Sequence, residues 1–210
     1  MPANDAGALV AWDVDDVLND LTHQWANWRG VDLNEPHPPT GDSATWMSTF
    51  GLQQADYLAS LDAFRSESYR SLDPNPLIRT LLENWPSPHN THIALTATPL
   101  FAQSIVAEWV MRHFGRWLRG VWFCPSQRPS DPPGTPVVSK GAVLGRFSGR
   151  AVLIDDSVVN LATVAEPAKA LMYPRPWNSS HKDEGLANFV VNLHQACMPE
   201  RDGIIHVDGR

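Results

Sequence analysis

Two acidic runs carry the chemistry that this sequence can do: Asp13-Val14-Asp15-Asp16 and Asp155-Asp156. Each follows a short apolar run, Ala8 to Trp12 and Ala151 to Ile154. Such runs are too brief for a helix and fit buried strands, so both acidic runs are expected at strand ends. In a parallel sheet the two ends emerge on the same edge, where carboxylates crowd and raise one another's pKa unless a cation joins them. An all-oxygen donor set suits Mg²⁺, which keeps several waters and binds substrate phosphate. Either run alone is equally well read as aspartates capping the next helices; the pair together favours a Mg²⁺ site.

The intervening residues predict the elements that bring these ends together. Leu18, Leu21, Trp25 and Trp28 fall on one helical face that Gly30 ends, and a Pro- and Asn-rich loop covers 31–41. Helices are expected over 43–50 and 52–69, with Gly51 between them. Asn75-Pro76 opens another, Asn75 as N-cap and Pro76 at the first helical position, with Leu77, Ile78, Leu81, Leu82 and Trp85 on its buried face. A second strand is expected over 92–95, then a helix opened by Thr98-Pro99 and ended by Gly115. A third strand over 121–124 leads into a loop with five prolines between Pro125 and Pro136. A helix over 141–147, strands over 151–154 and 168–172, and a helix over 184–196 complete the pattern. Strands alternating with helices imply right-handed crossovers, a parallel sheet, and ligands at the carboxyl ends of the strands.

Composition narrows the partners. Of 210 residues, 43% are hydrophobic, enough for one globular core, and 16 Lys plus Arg against 23 Asp plus Glu give a net charge of −7. That sign repels nucleic-acid polymers and anionic membranes. Neither a basic leader nor a run of roughly 20 apolar residues is present, so a cytoplasmic protein is expected. Cys124 and Cys197 lack metal-ligand or disulfide-framework spacing, and the eight histidines are scattered. Trp25, Trp28 and Trp46 invite base stacking, but core packing competes, since Trp25 and Trp28 share a helical face with Leu21.

The ordered set ALVAWDVDDVLND, HIALTATP, VSKGAVL and VLIDDSVVN resembles the four motifs of the haloacid dehalogenase-like hydrolases. DVDDVLND, WVMRHFG, LIDDS and MYPRPWN look similar to the 5′(3′)-deoxyribonucleotidase-like branch. The resemblance implies an α/β fold: a Rossmann-like parallel sheet with helices on both faces, residues 1–20 and 86–210, and a small helical cap, 21–85. It implies a Mg²⁺-dependent phosphatase for a small phosphomonoester, a nucleoside monophosphate first and a sugar phosphate or other small metabolite second; the alternative from another class is a catalytically silent binding protein of the same fold, against which the intact Asp13, Asp15, Lys140 and Asp155-Asp156 argue. Asp13 would be the nucleophile, Asp15 the general acid and base, Thr96 a phosphoryl hydrogen-bond donor and Lys140 a neutralising cation. Mg²⁺ would be held by Asp13, the backbone carbonyl of Asp15, and Asp155 or Asp156. Thr98, Trp25 and Trp28 are the substrate-binding candidates. Thr96 as an ordinary strand residue and Lys140 as a surface charge are the competing readings. Asn160 either orients the metal ligands or is a turn residue, and Arg175 and Asn178 either reach substrate or only shape a loop.

Overall fold

A computed structural model describes residues 7–31, 52–128, 131–178 and 182–197. The expected helix over 43–50 and the tail after 199 lie outside them. Five strands, β1 (Leu9–Trp12), β2 (Thr91–Thr96), β3 (Leu118–Phe123), β4 (Ala151–Asp155) and β5 (Lys169–Met172), form one parallel sheet in the order β3-β2-β1-β4-β5. Helices α1 (Leu21–Arg29), α2 (Gln54–Ser68) and α3 (Pro76–Glu83) lie between β1 and β2, and α4 (Gln103–Phe114) follows β2. Helices α5 (Lys140–Leu144) and α6 (Val158–Leu161) flank β4, and α7 (Lys182–Cys197) follows β5. This is the expected Rossmann-like α/β architecture.

The central strands β1 and β4 are apolar almost throughout because both faces of a parallel sheet are covered by helices. Alternation splits the core in two. Val10, Trp12, Val152 and Ile154 join the larger cluster with Trp25, Phe64, Trp109, Phe114 and Phe189. Ala11, Leu153, Ile93 and Leu95 join a smaller one with Val143 and Leu144. The chain steps from β1 outward to β3, then returns to place β4 on the other side of β1. That reversal is a topological switch point, where open α/β sheets bind ligands.

Local signals set most boundaries. Asn75 Oδ1 accepts from Leu77 N (3.0 Å) with Pro76 behind it, as expected, and Gly30, at φ 75°, ends α1 in the left-handed conformation that glycine tolerates. Two expectations need correction. The helix read from Leu18 starts only at Leu21, because residues 14–18 form a wide turn closed by Asn19 N to Val14 O (3.2 Å). Thr98-Pro99 precedes a short turn, and α4 begins at Gln103. Among the described residues no helix is long and apolar enough to cross a membrane.

Candidate active site

Because Trp12 pairs with Ile154, the next residues, Asp13 and Asp155, sit side by side, with Asp13 N donating to Ile154 O (2.8 Å). Lys140 Nζ lies between them, 2.6 Å from Asp13 Oδ1 and 2.6 Å from Asp155 Oδ2. It is 1% exposed, so it is not a surface charge. Burial opposes its ammonium, but Asp13 and Asp155 overcome that and push its pKa up. Local sequence delivers it there: Ser139 caps α5 by accepting from Ala142 N (3.1 Å), and Gly141 allows a backbone approach. A Cβ at 141 would lie 1.8 Å from Thr163 O, so any side chain would drive the start of α5 away from the acids.

Asp13, Asp155 and Asp156 each offer a carboxylate oxygen within 4.8 Å of the others. Burial and then Asp155 hold the Asp13 carboxyl well above the usual carboxylate range, against the opposing pull of Lys140. Burial, Asp16 and Asp155 push Asp156 up to about 8. One ammonium does not compensate three crowded acids, two of them buried, and the donor set is all oxygen, so the cluster fits a hard divalent cation such as Mg²⁺. Asp155 is oriented from behind: Ser157 N donates to Oδ1 (2.9 Å) and Asn160 Nδ2 to both oxygens (3.2 Å each). Trp177 Nε1 donates to Asp156 Oδ2 (2.9 Å). The Asn160 alternative therefore resolves toward orienting an acid.

A cavity of about 180 Å³ opens over this cluster, lined by Asp13, Asp15, Asp16, Thr96 and Asp156 at its floor. Tyr57, Leu61 and Arg65 of α2, and Val158 and Val159 of α6, form part of its wall. Asp13 Oδ1 is engaged by Lys140 and Val14 N (2.7 Å), while Oδ2 has no hydrogen bond among the described residues. Asp15 accepts from Tyr69 O–H (2.5 Å) and Arg65 Nη2 (2.9 Å). Asp16 stands at φ 65°, a left-handed conformation that a short polar side chain tolerates, and accepts from Thr22 N (2.9 Å) and Oγ1 (2.5 Å). Burial raises its carboxyl to about 6, opposed by Arg175 and Thr22.

The cavity thus brings together four expected site residues, Asp13, Asp15, Thr96 and Asp156, with Lys140 and Asp155 directly behind Asp13. Others stand elsewhere. Thr98, 1% exposed, bonds the Thr96 hydroxyl (2.9 Å) and is not among the lining residues, which makes it a support for Thr96. Trp25 is fully buried, edge-on to Tyr57, with its indole N–H on Ser60 Oγ (3.2 Å). Trp28 is 45% exposed and packs on Phe64. Neither lines the cavity, so core packing accounts for Trp25 and a surface contact for Trp28. Arg175 serves its loop, donating to Asp16 O, Asn19 O and Asp20, and Asn178 donates to Asp156 O (2.7 Å). Sequence reasoning placed Asp16 in the first acidic run without giving it a role, and it missed Thr22, Tyr57, Arg65, Tyr69 and Trp177, whose neighbours in sequence carry no signal of the site.

No family model matches the sequence, and no curated protein matches it. Among solved structures, a predicted phosphatase from Clostridium acetobutylicum is similar, with 14% identity, 91% of this chain and 98% of that one covered, and a TM-score of 0.52. A hydrolase from Streptococcus pneumoniae TIGR4 shows 12% identity, coverage of 90% and 97%, and a TM-score of 0.50. At such identities the likeness concerns architecture, and it extends over nearly the whole of each chain. The fold is the one shared with these two proteins, the Rossmann-like α/β architecture expected from the alternation of strands and helices.

Proposed function

We propose that the protein is a Mg²⁺-dependent phosphatase acting on a small phosphomonoester through an aspartyl-phosphate. The observation that carries this reading is Asp13, with one oxygen held by Lys140 and Val14 N and the other without a hydrogen bond among the described residues, within a three-carboxylate cluster that fits a divalent cation. Asp13 Oδ2 attacks phosphorus; the bond to the leaving oxygen breaks with its electron pair, and that oxygen takes a proton from Asp15. Water then attacks phosphorus, gives its proton to Asp15, and the electron pair of the Asp13–phosphorus bond returns to Asp13. Lys140 offsets the charge on Asp13, and the Thr96 hydroxyl, steadied by Thr98, donates to a phosphoryl oxygen. Mg²⁺ bound by Asp13, the Asp15 carbonyl and the Asp155–Asp156 pair would supply Lewis-acid stabilisation of the transferring group.

Charge and size favour one kind of alcohol. Among the described residues, the cations at the site are already paired: Lys140 as above, Arg65 with Asp15 and Asp62, Arg128 with Asp62, Arg175 with Asp20. Among the described residues a second anionic group on the substrate would find no unpaired cation at the site, which supports a neutral alcohol over a bisphosphate or a phosphorylated acid. The 180 Å³ cavity is smaller than the roughly 300 Å³ at which ordinary ligand pockets begin. It favours a compact sugar monophosphate over the larger nucleoside monophosphate. We propose segment 21–85 as the cap that covers this site.

The test is turnover of sugar monophosphates, nucleoside monophosphates, sugar bisphosphates and phosphoglycolate, with Mg²⁺ and with EDTA. Mg²⁺-dependent release of phosphate, fastest from neutral monophosphates, is expected. Undiminished turnover in EDTA overturns the metal site, and preference for the doubly anionic substrates overturns the alcohol class.

A further inference from the structure

Asp15 is gripped by two residues from the C-terminal end of α2, Arg65 in its last turn and Tyr69 just after it. Tyr69 O–H donates to Oδ1 at 2.5 Å and Arg65 Nη2 to Oδ2 at 2.9 Å, so each oxygen has its own donor and the carboxyl cannot rotate without losing one. Neither donor is loose. Tyr69 is 1% exposed, accepts from Asn19 Nδ2 (3.1 Å) and meets Trp109 edge-on. Arg65, 7% exposed, is anchored at its other end by Asp62 Oδ1 (3.1 Å). Asp62 in turn takes Arg128 Nε (2.7 Å) and Nη2 (3.2 Å), from the loop after β3. A chain of ion pairs, Arg128–Asp62–Arg65–Asp15, thus runs from that loop through α2 to the acid.

We propose that Tyr69 and Arg65 are positioning residues for Asp15, and that the Asp62–Arg128 pair makes their grip depend on α2 being seated against the loop after β3. This deepens the phosphatase reading and rests on it. Proton transfer needs donor and acceptor within about 2.6–3.2 Å, and a carboxyl free to turn is seldom in place. The two grips differ in kind. A phenol donates or accepts, so Tyr69 stays bonded to Asp15 whether or not Asp15 carries the proton. Arg65 only donates, so it serves the ionised carboxylate that takes the proton from water in the second step.

The experiment compares an alkyl phosphate, whose alkoxide leaves badly without a proton, with nitrophenyl phosphate, whose phenolate leaves well. In Tyr69→Phe the first step is expected to slow by about 10–100-fold for the alkyl ester and by no more than about 3-fold for the nitrophenyl ester. Nitrophenolate then appears as a burst of about one equivalent per site before slow turnover. Arg65→Lys, which keeps a cation but not the fork, is expected to lengthen the slow phase more than it weakens the alkyl first step. Arg128→Gln, which touches Asp62 and not Asp15, is expected to shift the two rates in the same direction by a few-fold, with a fall of a few degrees in melting temperature. Equal slowing of both esters in Tyr69→Phe, or no slowing, overturns the positioning role. Should Tyr69→Phe fold poorly, Arg65→Lys decides: an unmoved ratio of its two rates overturns the positioning role, and unmoved rates in Arg128→Gln overturn the part given to the Asp62–Arg128 pair. If the wild-type protein releases phosphate from neither ester in Mg²⁺, the phosphatase reading itself falls.

Discussion

Lys140 and Arg65 do the same thing in two regions of the molecule, each bridging two carboxylates beside one cavity, but they are built differently. Lys140 joins acids from adjacent strands, both at 2.6 Å, one of them with a fully buried side chain. Arg65 joins Asp15 and Asp62, at 2.9 and 3.1 Å, whose side chains keep 14% and 20% of their exposure. An ammonium is a point charge that needs no orientation and suits acids forced together by the sheet; a guanidinium is a planar fork that sets the orientation of acids it holds apart. The lesson is that one bridge neutralises and the other aligns. Removing the first should cost stability and chemistry, removing the second mostly geometry.

The largest expected effect tests whether the Lys140 region is the chemical one. Asp13→Asn should abolish turnover with little change in melting temperature, because an amide is a poor nucleophile and a weaker metal ligand. Near-wild-type phosphate release would move the nucleophile elsewhere. Next, Lys140→Met leaves two buried carboxylates uncompensated and should cost about 3–5 kcal/mol in urea denaturation. Arg65→Met should cost less, since water reaches Asp15 and Asp62; equal losses would break the contrast.

A third ionisable group shows what burial costs with no ionic partner among the described residues. His92 is 7% exposed, accepts at Nδ1 from Trp12 Nε1 (3.1 Å), and burial holds its pKa down at about 4. The folded value lies below the ordinary 6.5, so the unfolded chain binds the proton more readily in between. Stability is complete above about pH 6.5 and falls by about 3 kcal/mol as the pH drops toward 4. Chemical denaturation across that window, against His92→Gln, measures it; the variant should flatten this component. The smallest effect is at Trp28→Ala, where loss of the half-exposed contact with Phe64 should cost roughly 1 kcal/mol and leave relative rates across substrates unchanged. A shift in substrate preference would return Trp28 to the site.

Much of the sheet end of the site was legible because its information is local. An apolar run followed by acids states both a strand and what stands at its end, and the helix expected from 141 places Lys140 at its start. The α2 side was illegible for the converse reason. Arg65 and Tyr69 lie 50 and 54 residues from Asp15, and nothing near either announces a distant carboxylate. Trp25 and Trp28 misled because helical spacing puts both on one face, but only packing decides which part of that face meets α2 and which meets water.

By itself the amino-acid sequence determined five buried or half-buried strands alternating with helices, two acidic strand ends, and the Asn75-Pro76 helix start. These follow from side-chain periodicity and backbone preference, which act over a few residues. Only the tertiary structure decided that β4 lies beside β1, in a register that sets Asp155 next to Asp13, and that α2 turns Arg65 toward Asp15. Those choices depend on how whole faces of helices and sheet bury one another. A burial free energy is shared over dozens of contacts, and no short stretch of sequence carries it.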